Sequence, residues 1–417
     1  MITRTTCRVS GGPLHPILSL GEQYVSNYLD PGEPDGTAAP LELVLCPESH
    51  MLQLKHTVEP EFMYEQYWYR SGTNQTMRDA LAEIAQKAQV LMHLKEGDTV
   101  LDIGCNDGTL LSAYTAPGLF KVGIDPAKNL AEHSSKFADR VIVNFFSEES
   151  FRLDPEVAER KPKVVTSIAM FYDLEDPNKF VADIKAVMHP DGVWVVQQSY
   201  LPLMLKTNEL GNICHEHLEY HSMKSMDYLL ARHGMEIVDV ELNDVNGGSF
   251  RTLIRNKDAN QSVFGNEDYR NEAAQRVAKL RKEEDEMKLD TPQPYEDFAY
   301  RINRIKNDVV SFIEREVEAG KKVYVYGAST KGNVVLQYYG LDTRLITAAA
   351  ERNPQKWGKE TVGTRIPIVS EEEARKANPD YFLVLPWHFL DEFIRRERDY
   401  LHNGGRFILP APYFTIV

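Results

Sequence analysis

Residues 211–222, GNICHEHLEYHS, place three histidines and two glutamates in twelve positions. His215, Glu216, His217 and His221 admit three kinds of chemistry. They can hold a metal, move a proton, or simply hydrogen-bond backbone. A His-x-His pair lacks the third and fourth ligands of a zinc site, and no His-Glu-x-x-His spacing is present. A histidine titrates near neutral pH, and a neighbouring carboxylate sets its tautomer. Proton transfer therefore suits these residue types best. The structural and metal readings stay open.

A second group surrounds Leu101-Asp102-Ile103-Gly104-Cys105-Asn106-Asp107-Gly108. Glycine at a strand-to-helix turn lets the backbone approach a ligand at the carboxyl end of a sheet. Twenty-one residues after Gly104, Asp125 ends the next strand, where a carboxylate can take both hydroxyls of a ribose. GCNDG does not satisfy the dinucleotide pattern G-x-G-x-x-G, because Asn106 stands at the second glycine. Asp102, Gly104, Asn106, Gly108 and Asp125 are therefore assigned to S-adenosylmethionine (SAM) rather than to a nicotinamide. Phe146 and Phe171 are assigned beside it, though aromatics after a strand suit core packing equally well. A base next to SAM suits carbon methylation, since a C–H beside a ketone must lose its proton before the carbon can attack.

Further along, Gly327-Ala-Ser-Thr-Lys-Gly-Asn333 follows an apolar strand and opens a helix. Such a helix start, with Lys331 in it, suits an anion. Asn333 and Val334 stand where a P-loop needs Lys and Ser/Thr, so a bound phosphate or diphosphate fits better than a hydrolysed one. At the other end, Cys7-x-x-Ser10 and Cys46-x-x-Ser49 each resemble half of a zinc knuckle. Serine hydroxyls are poor zinc ligands. Cys7, Cys46 and His50 are only weak metal candidates, and no bound metal is expected.

The elements that must position these residues can be read from periodicity. Strand and helix alternate from residue 98 to 200, which predicts a parallel doubly wound sheet. A hairpin around Asn246-Gly247-Gly248 ends it, as the sheet of a class I methyltransferase ends. From residue 318 the alternation returns. The expectation is an α/β protein with a small zinc-ribbon-like module at 1–60, a methyltransferase domain with a Rossmann-like sheet at 61–260, a helical linker at 261–317, and a second Rossmann-like domain at 318–417. The chain has 417 residues and a net charge of 47 − 62 = −15. That acidity argues against nucleic acid as a partner. No signal peptide or apolar span is visible, so a cytoplasmic protein is expected. Four cysteines do not make a disulfide framework.

From about residue 5 onward the ordered set LSLGEQ, LQL, YWYRSG, VLDIGCNDGTLL, CHEHLEYHS, GGSFR, YGASTKGN and IPIVS resembles the NDP-sugar C-methyltransferases of deoxysugar biosynthesis. The resemblance implies SAM-dependent methylation at C3 of a nucleotide-linked 4-keto-6-deoxy sugar. It implies His217 as general base, assisted by Glu216 with His215 beside them, and Tyr67 and Tyr69 on the substrate side. Ser329, Lys331 and Asn333 would lie near the nucleoside diphosphate. Cys214 stands where several relatives carry tyrosine, and would touch substrate. Two rival readings stand beside it: a keto-sugar epimerase using the same base, and a non-catalytic binding protein.

Overall fold

The computed structural model describes residues 1–58 and 70–417. Tyr67 and Tyr69 lie outside the described residues.

Strand Thr99–Ile103 is buried on both faces, and Val164–Ile168 and Val193–Ser199 nearly so. Apolar runs of this kind form the middle of a parallel sheet covered by helices. The seven-stranded sheet has the spatial order Met235–Asn243, Ser249–Asn256, Val193–Ser199, Val164–Ile168, Thr99–Ile103, Phe120–Ile124, Arg140–Ile142. Ser249–Asn256 runs antiparallel to both its neighbours, and the others are parallel. In chain order this is 6-7-5-4-1-2-3, the class I methyltransferase sheet. Trp194, fully buried, donates its indole N–H to Ser167 Oγ at 3.1 Å and packs at right angles on Phe171. Helix Gln75–Leu91 buries Met77, Leu81, Ile84, Ala85, Ala88 and Leu91, one stripe at three- and four-residue spacing, and Asn74 caps its start.

The carboxy-terminal sheet follows the same logic. Its parallel strands Ile368–Ser370, Ala349–Glu351, Val323–Tyr326, Tyr381–Val384 and Arg406–Leu409 are neighbours in that order. The order reverses at Val323–Tyr326, so the loop after that strand sits at a topological switch point, where α/β sheets bind ligands.

The amino-terminal residues form an antiparallel sheet from His15–Tyr24, Ala38–Cys46 and Met51–Leu54. Its fourth strand, Glu219–Tyr220, comes from the histidine segment and pairs with Gln53 and Leu52. Tyr28–Leu29 pairs with Glu360–Thr361 of the carboxy-terminal part. One core runs from Leu41, Leu43 and Leu54 through Ile213 and Leu218 to Ile302, Val309 and Val325. Residues 261–317 are mostly helical and are built into both neighbours. Helix Glu267–Met287 sends Val277 and Leu280 into the methyltransferase core, and helix Gln293–Glu318 lays Phe298, Ile302, Ile305, Val309 and Ile313 against the shared core. No helix of the described residues is long and apolar enough to cross a membrane.

Candidate active site

At the first βα turn of the central sheet, Gly104 (φ +71°), Asn106 (φ +51°) and Gly108 (φ +80°) all take left-handed backbone. A Cβ on Gly104 would come within 3.1 Å of the Met170 side chain, and one on Gly108 within 2.9 Å of the Ser134 backbone. The Asn106 N–H donates to Asp125 Oδ2 at 2.8 Å, and the Ala127 N–H to Oδ1 at 2.9 Å. Asp125 thus fixes the turn and presents a partly buried carboxylate at the end of the second strand. Asp102 is buried behind them, accepts from the Thr166 hydroxyl at 2.6 Å, and is pushed up to about 7 by loss of solvent. Asn106 Oδ1 accepts from the Ser71 N–H at 3.0 Å, tying the turn to the segment that leads into helix Gln75–Leu91.

Phe146 lies half-buried, edge-on to Phe180 at 5.1 Å between ring centroids. Phe171, expected against the cofactor, is fully buried and wedged against Trp194, Phe180 and the His221 ring. It is a core residue. Its neighbour Tyr172 faces the site instead, with its ring 4.4 Å from that of His217.

The three histidines separate. His215 Nε2 donates to the Ala39 carbonyl at 3.0 Å, which pins the segment to the amino-terminal sheet. That bond corrects the expectation that His215 works beside the base. His221 pairs with Glu219 at 3.1 Å, both side chains fully buried. Glu219 also feels Arg8, which reaches Leu54 O, the Thr57 hydroxyl and Glu175. His221 is therefore part of a buried polar joint between modules. His217 remains. Its Nδ1 donates to the Asn212 carbonyl at 2.9 Å, which leaves the Nε2 lone pair available. A Cys214 sulfur, a Glu216 carboxylate oxygen and a His217 ring nitrogen lie within 4.8 Å of one another. With His215 and His221 turned away, the four cluster residues do not converge as a metal-ligand set.

Burial and the Lys331 ammonium hold His217 down at about 3, so the ring is neutral. Burial pushes the Glu216 carboxyl up to about 7, against the pull of Lys331. The sequence placed the near-neutral titration on the histidine; the structure puts it on the glutamate. Cys214 is 1% exposed inside the shared core, with its thiol pushed well up by burial. It supports the segment from within rather than opening to a cavity.

Lys331 Nζ donates to the Asn212 side-chain Oδ1 at 2.5 Å, while the Asn212 backbone carbonyl receives His217 and the Tyr220 hydroxyl. Ser329 caps helix Thr330–Tyr339 by accepting from the Gly332 N–H at 3.0 Å. Asn333 is 3% exposed, and its side-chain nitrogen and oxygen have no hydrogen-bond partner among the described residues. A cavity of about 850 Å³ opens beside them, lined among others by Tyr28, Arg70, Glu216, Ser329, Glu351 and Lys356.

Sequence reasoning missed Asn212, Tyr28, Glu351 and Lys356. Glu351 had a readable signal. The Ala328 N–H donates to Glu351 Oε2 at 3.0 Å, which repeats in the second sheet the Asn106–Asp125 bond of the first. Tyr28 and Lys356 meet across domains, 3.1 Å apart, and nothing local in the sequence announces that contact.

Three family models tile the chain: a zinc binding domain at residues 7–64, a methyltransferase domain at 69–240, and a C-methyltransferase C-terminal domain at 244–412. C-methyltransferase NovU of Streptomyces niveus is 31% identical over 412 residues, covering 97% of this chain and 95% of NovU. The chain belongs to the C-methyltransferase family. A ubiquinone biosynthesis O-methyltransferase of Rhodopseudomonas palustris is 25% identical over 122 residues, 29% of this chain and 47% of that one. Among solved structures, the plantazolicin methyltransferase BpumL with SAH overlays 43% of this C-methyltransferase and 84% of its own chain, with TM-score 0.33 and 14% identity.

The C-methyltransferase is SAM-dependent, and its first turn fits that cofactor: backbone without Cβ at Gly104 and Gly108, and a carboxylate at the end of the next strand. The amino-terminal residues do not fit zinc, because Ser10 and Ser49 fill two of the four knuckle positions. Asp125→Ala removes the carboxylate that would take the ribose hydroxyls. Charge-assisted hydrogen bonds contribute about 1.5–3 kcal/mol, so SAM affinity measured by calorimetry should fall by about 10–100-fold. An unchanged affinity would remove Asp125 from the cofactor site.

Proposed function

We propose that the enzyme methylates C3 of a nucleotide-linked 4-keto-6-deoxy sugar, with the Glu216–His217 pair removing the proton α to the ketone. The observation that carries this reading is the bond chain Lys331–Asn212–His217, which joins an anion-suited helix start to the base. Bound SAM supplies an electrophilic methyl group. On the protein side, Asn212 holds the His217 ring in the tautomer whose Nε2 accepts a proton. An ionised Glu216 beside it favours the imidazolium that results. The C–H electron pair becomes an enolate, whose carbon takes the methyl group. Carbon acids need such a base, whereas hydroxyl methylation needs less help, and the similarity to a C-methyltransferase supports the same choice.

For the nucleoside diphosphate we assign the cavity side of the second sheet. Ser329 lies at the cavity wall, and Lys331 and Asn333 follow it on the same helix start. Glu351 stands where a ribose-binding acid stands in a doubly wound sheet. An anion bound there would offset the Lys331 charge, which adds to burial in holding His217 down.

Incubation with methyl-labelled SAM and TDP-, GDP- or CDP-linked 4-keto-6-deoxy sugars tests the reading by mass spectrometry of the product. One of the three should gain the label on carbon. An isomerised sugar without label would favour the epimerase reading. Absence of SAM binding in calorimetry would favour a non-catalytic protein.

A further inference from the structure

The turns Cys7-x-x-Ser10 and Cys46-x-x-Ser49 close on each other in the amino-terminal module. Val9 and Ser10 N–H groups point at Cys7 Sγ, at 3.3 and 3.5 Å, the wrapping that a knuckle gives a ligand sulfur. The pairing between turns is crosswise. Cys7 Sγ lies 3.2 Å from Ser49 Oγ, and Ser10 Oγ lies 3.4 Å from Cys46 Sγ. Ser49 and Cys46 are fully buried and Cys7 nearly so. The four side chains thus occupy the corners of a knuckle and satisfy one another. Two thiols and two neutral hydroxyls are a poor donor set for zinc. The nearby histidines do not complete it. His56 is engaged with the Thr3 hydroxyl and Glu42, and among the described residues His50 does not gather with Cys7 and Cys46 into a set of ligand atoms.

We propose that this module holds its fold with a hydrogen-bonded Cys7–Ser10–Cys46–Ser49 tetrad in place of a metal, and that Ser10→Cys with Ser49→Cys suffices to make it a four-thiolate zinc site. The physical reason lies in packing. A free-standing knuckle needs its ion because its own core is too small. Here Leu41, Leu43, Leu45, Leu52 and Leu54 belong to a core that continues into the carboxy-terminal sheet, and Cys46 and Met51 are register partners in a hairpin. Sheet pairing and shared burial hold the two turns together.

Metal analysis of the purified full-length protein, thermal denaturation with and without a strong zinc chelator, and cobalt titration test this. The wild-type protein should carry well under one zinc per chain and unfold identically with chelator. The double variant should take up a single zinc, unfold at a chelator-sensitive higher temperature, and give the intense visible absorption of tetrahedral cobalt thiolate. Stoichiometric zinc in the wild type that is lost in Cys7→Ser or Cys46→Ser would overturn the proposal. So would a folded double variant, with normal SAM affinity, that binds neither metal. None of these readouts depends on the substrate.

Discussion

Replacing His217 with alanine should slow methyl transfer by about 10²–10⁴-fold, the usual contribution of a positioned general base, while calorimetric SAM affinity is unchanged. The ring is held by Asn212 O and packed on Tyr172, so His217→Asn tests the lone pair with less loss of volume. The pH dependence separates the two partners. His217 is already neutral above about 3 and gives no break in the physiological range. The Glu216 carboxyl is raised to about 7. Below that value it is protonated and cannot stabilise an imidazolium or accept a proton. The pH profile of kcat/KM should therefore rise through about 7 and level off above it. In Glu216→Gln that limb should vanish and the plateau should fall. A limb that persists near 7 in Glu216→Gln would show that another group sets it. Wild-type turnover by His217→Ala would remove the base assignment.

The second large effect concerns stability. Glu284, fully buried on helix Glu267–Met287, accepts from the Tyr200 hydroxyl at 2.6 Å and from the Met223 and Lys224 N–H groups at 2.6 and 3.1 Å. Those two N–H groups open helix Met223–Arg232, so the carboxylate meets the positive end of a helix dipole. Tyr200 follows strand Val193–Ser199 and starts the stretch that leads to the histidine segment. Glu284→Ala strands two buried donors and one partly buried one, each buried one costing about 1–3 kcal/mol, so a loss of about 3 kcal/mol or more is expected in chemical denaturation. Glu284→Gln keeps an acceptor and should lose roughly half as much. A Glu284→Ala protein within 1 kcal/mol of wild type, about the worth of one ordinary hydrogen bond, would refute the account.

The methyltransferase sheet was legible because its information is local. The alternation of apolar strand and amphipathic helix, the glycine turn at Gly104, and the acid at Asp125 all fall within a few tens of residues. The same reading placed the second Rossmann-like sheet and the turn before Asn333. It passed over Glu351, although the acid there follows the same rule. Phe171 was assigned to the cofactor because aromatics after a strand suit either a wall or a core, and sequence does not say which way a ring points.

The histidine segment marks the boundary more sharply. Sequence alone determined that residues 211–222 hold acid–base groups near a SAM turn. It did not decide which histidine is free to work. That depended on Ala39, 176 positions before His215, on Gln53 and Leu52, which pair with Glu219 and Tyr220, and on Lys331, 119 positions after Asn212. Side-chain direction in this segment is set by partners distant in the chain, and so is the dielectric that moves the near-neutral titration from His217 to Glu216. Burial is a property of the assembled core, and only the tertiary structure could assign it.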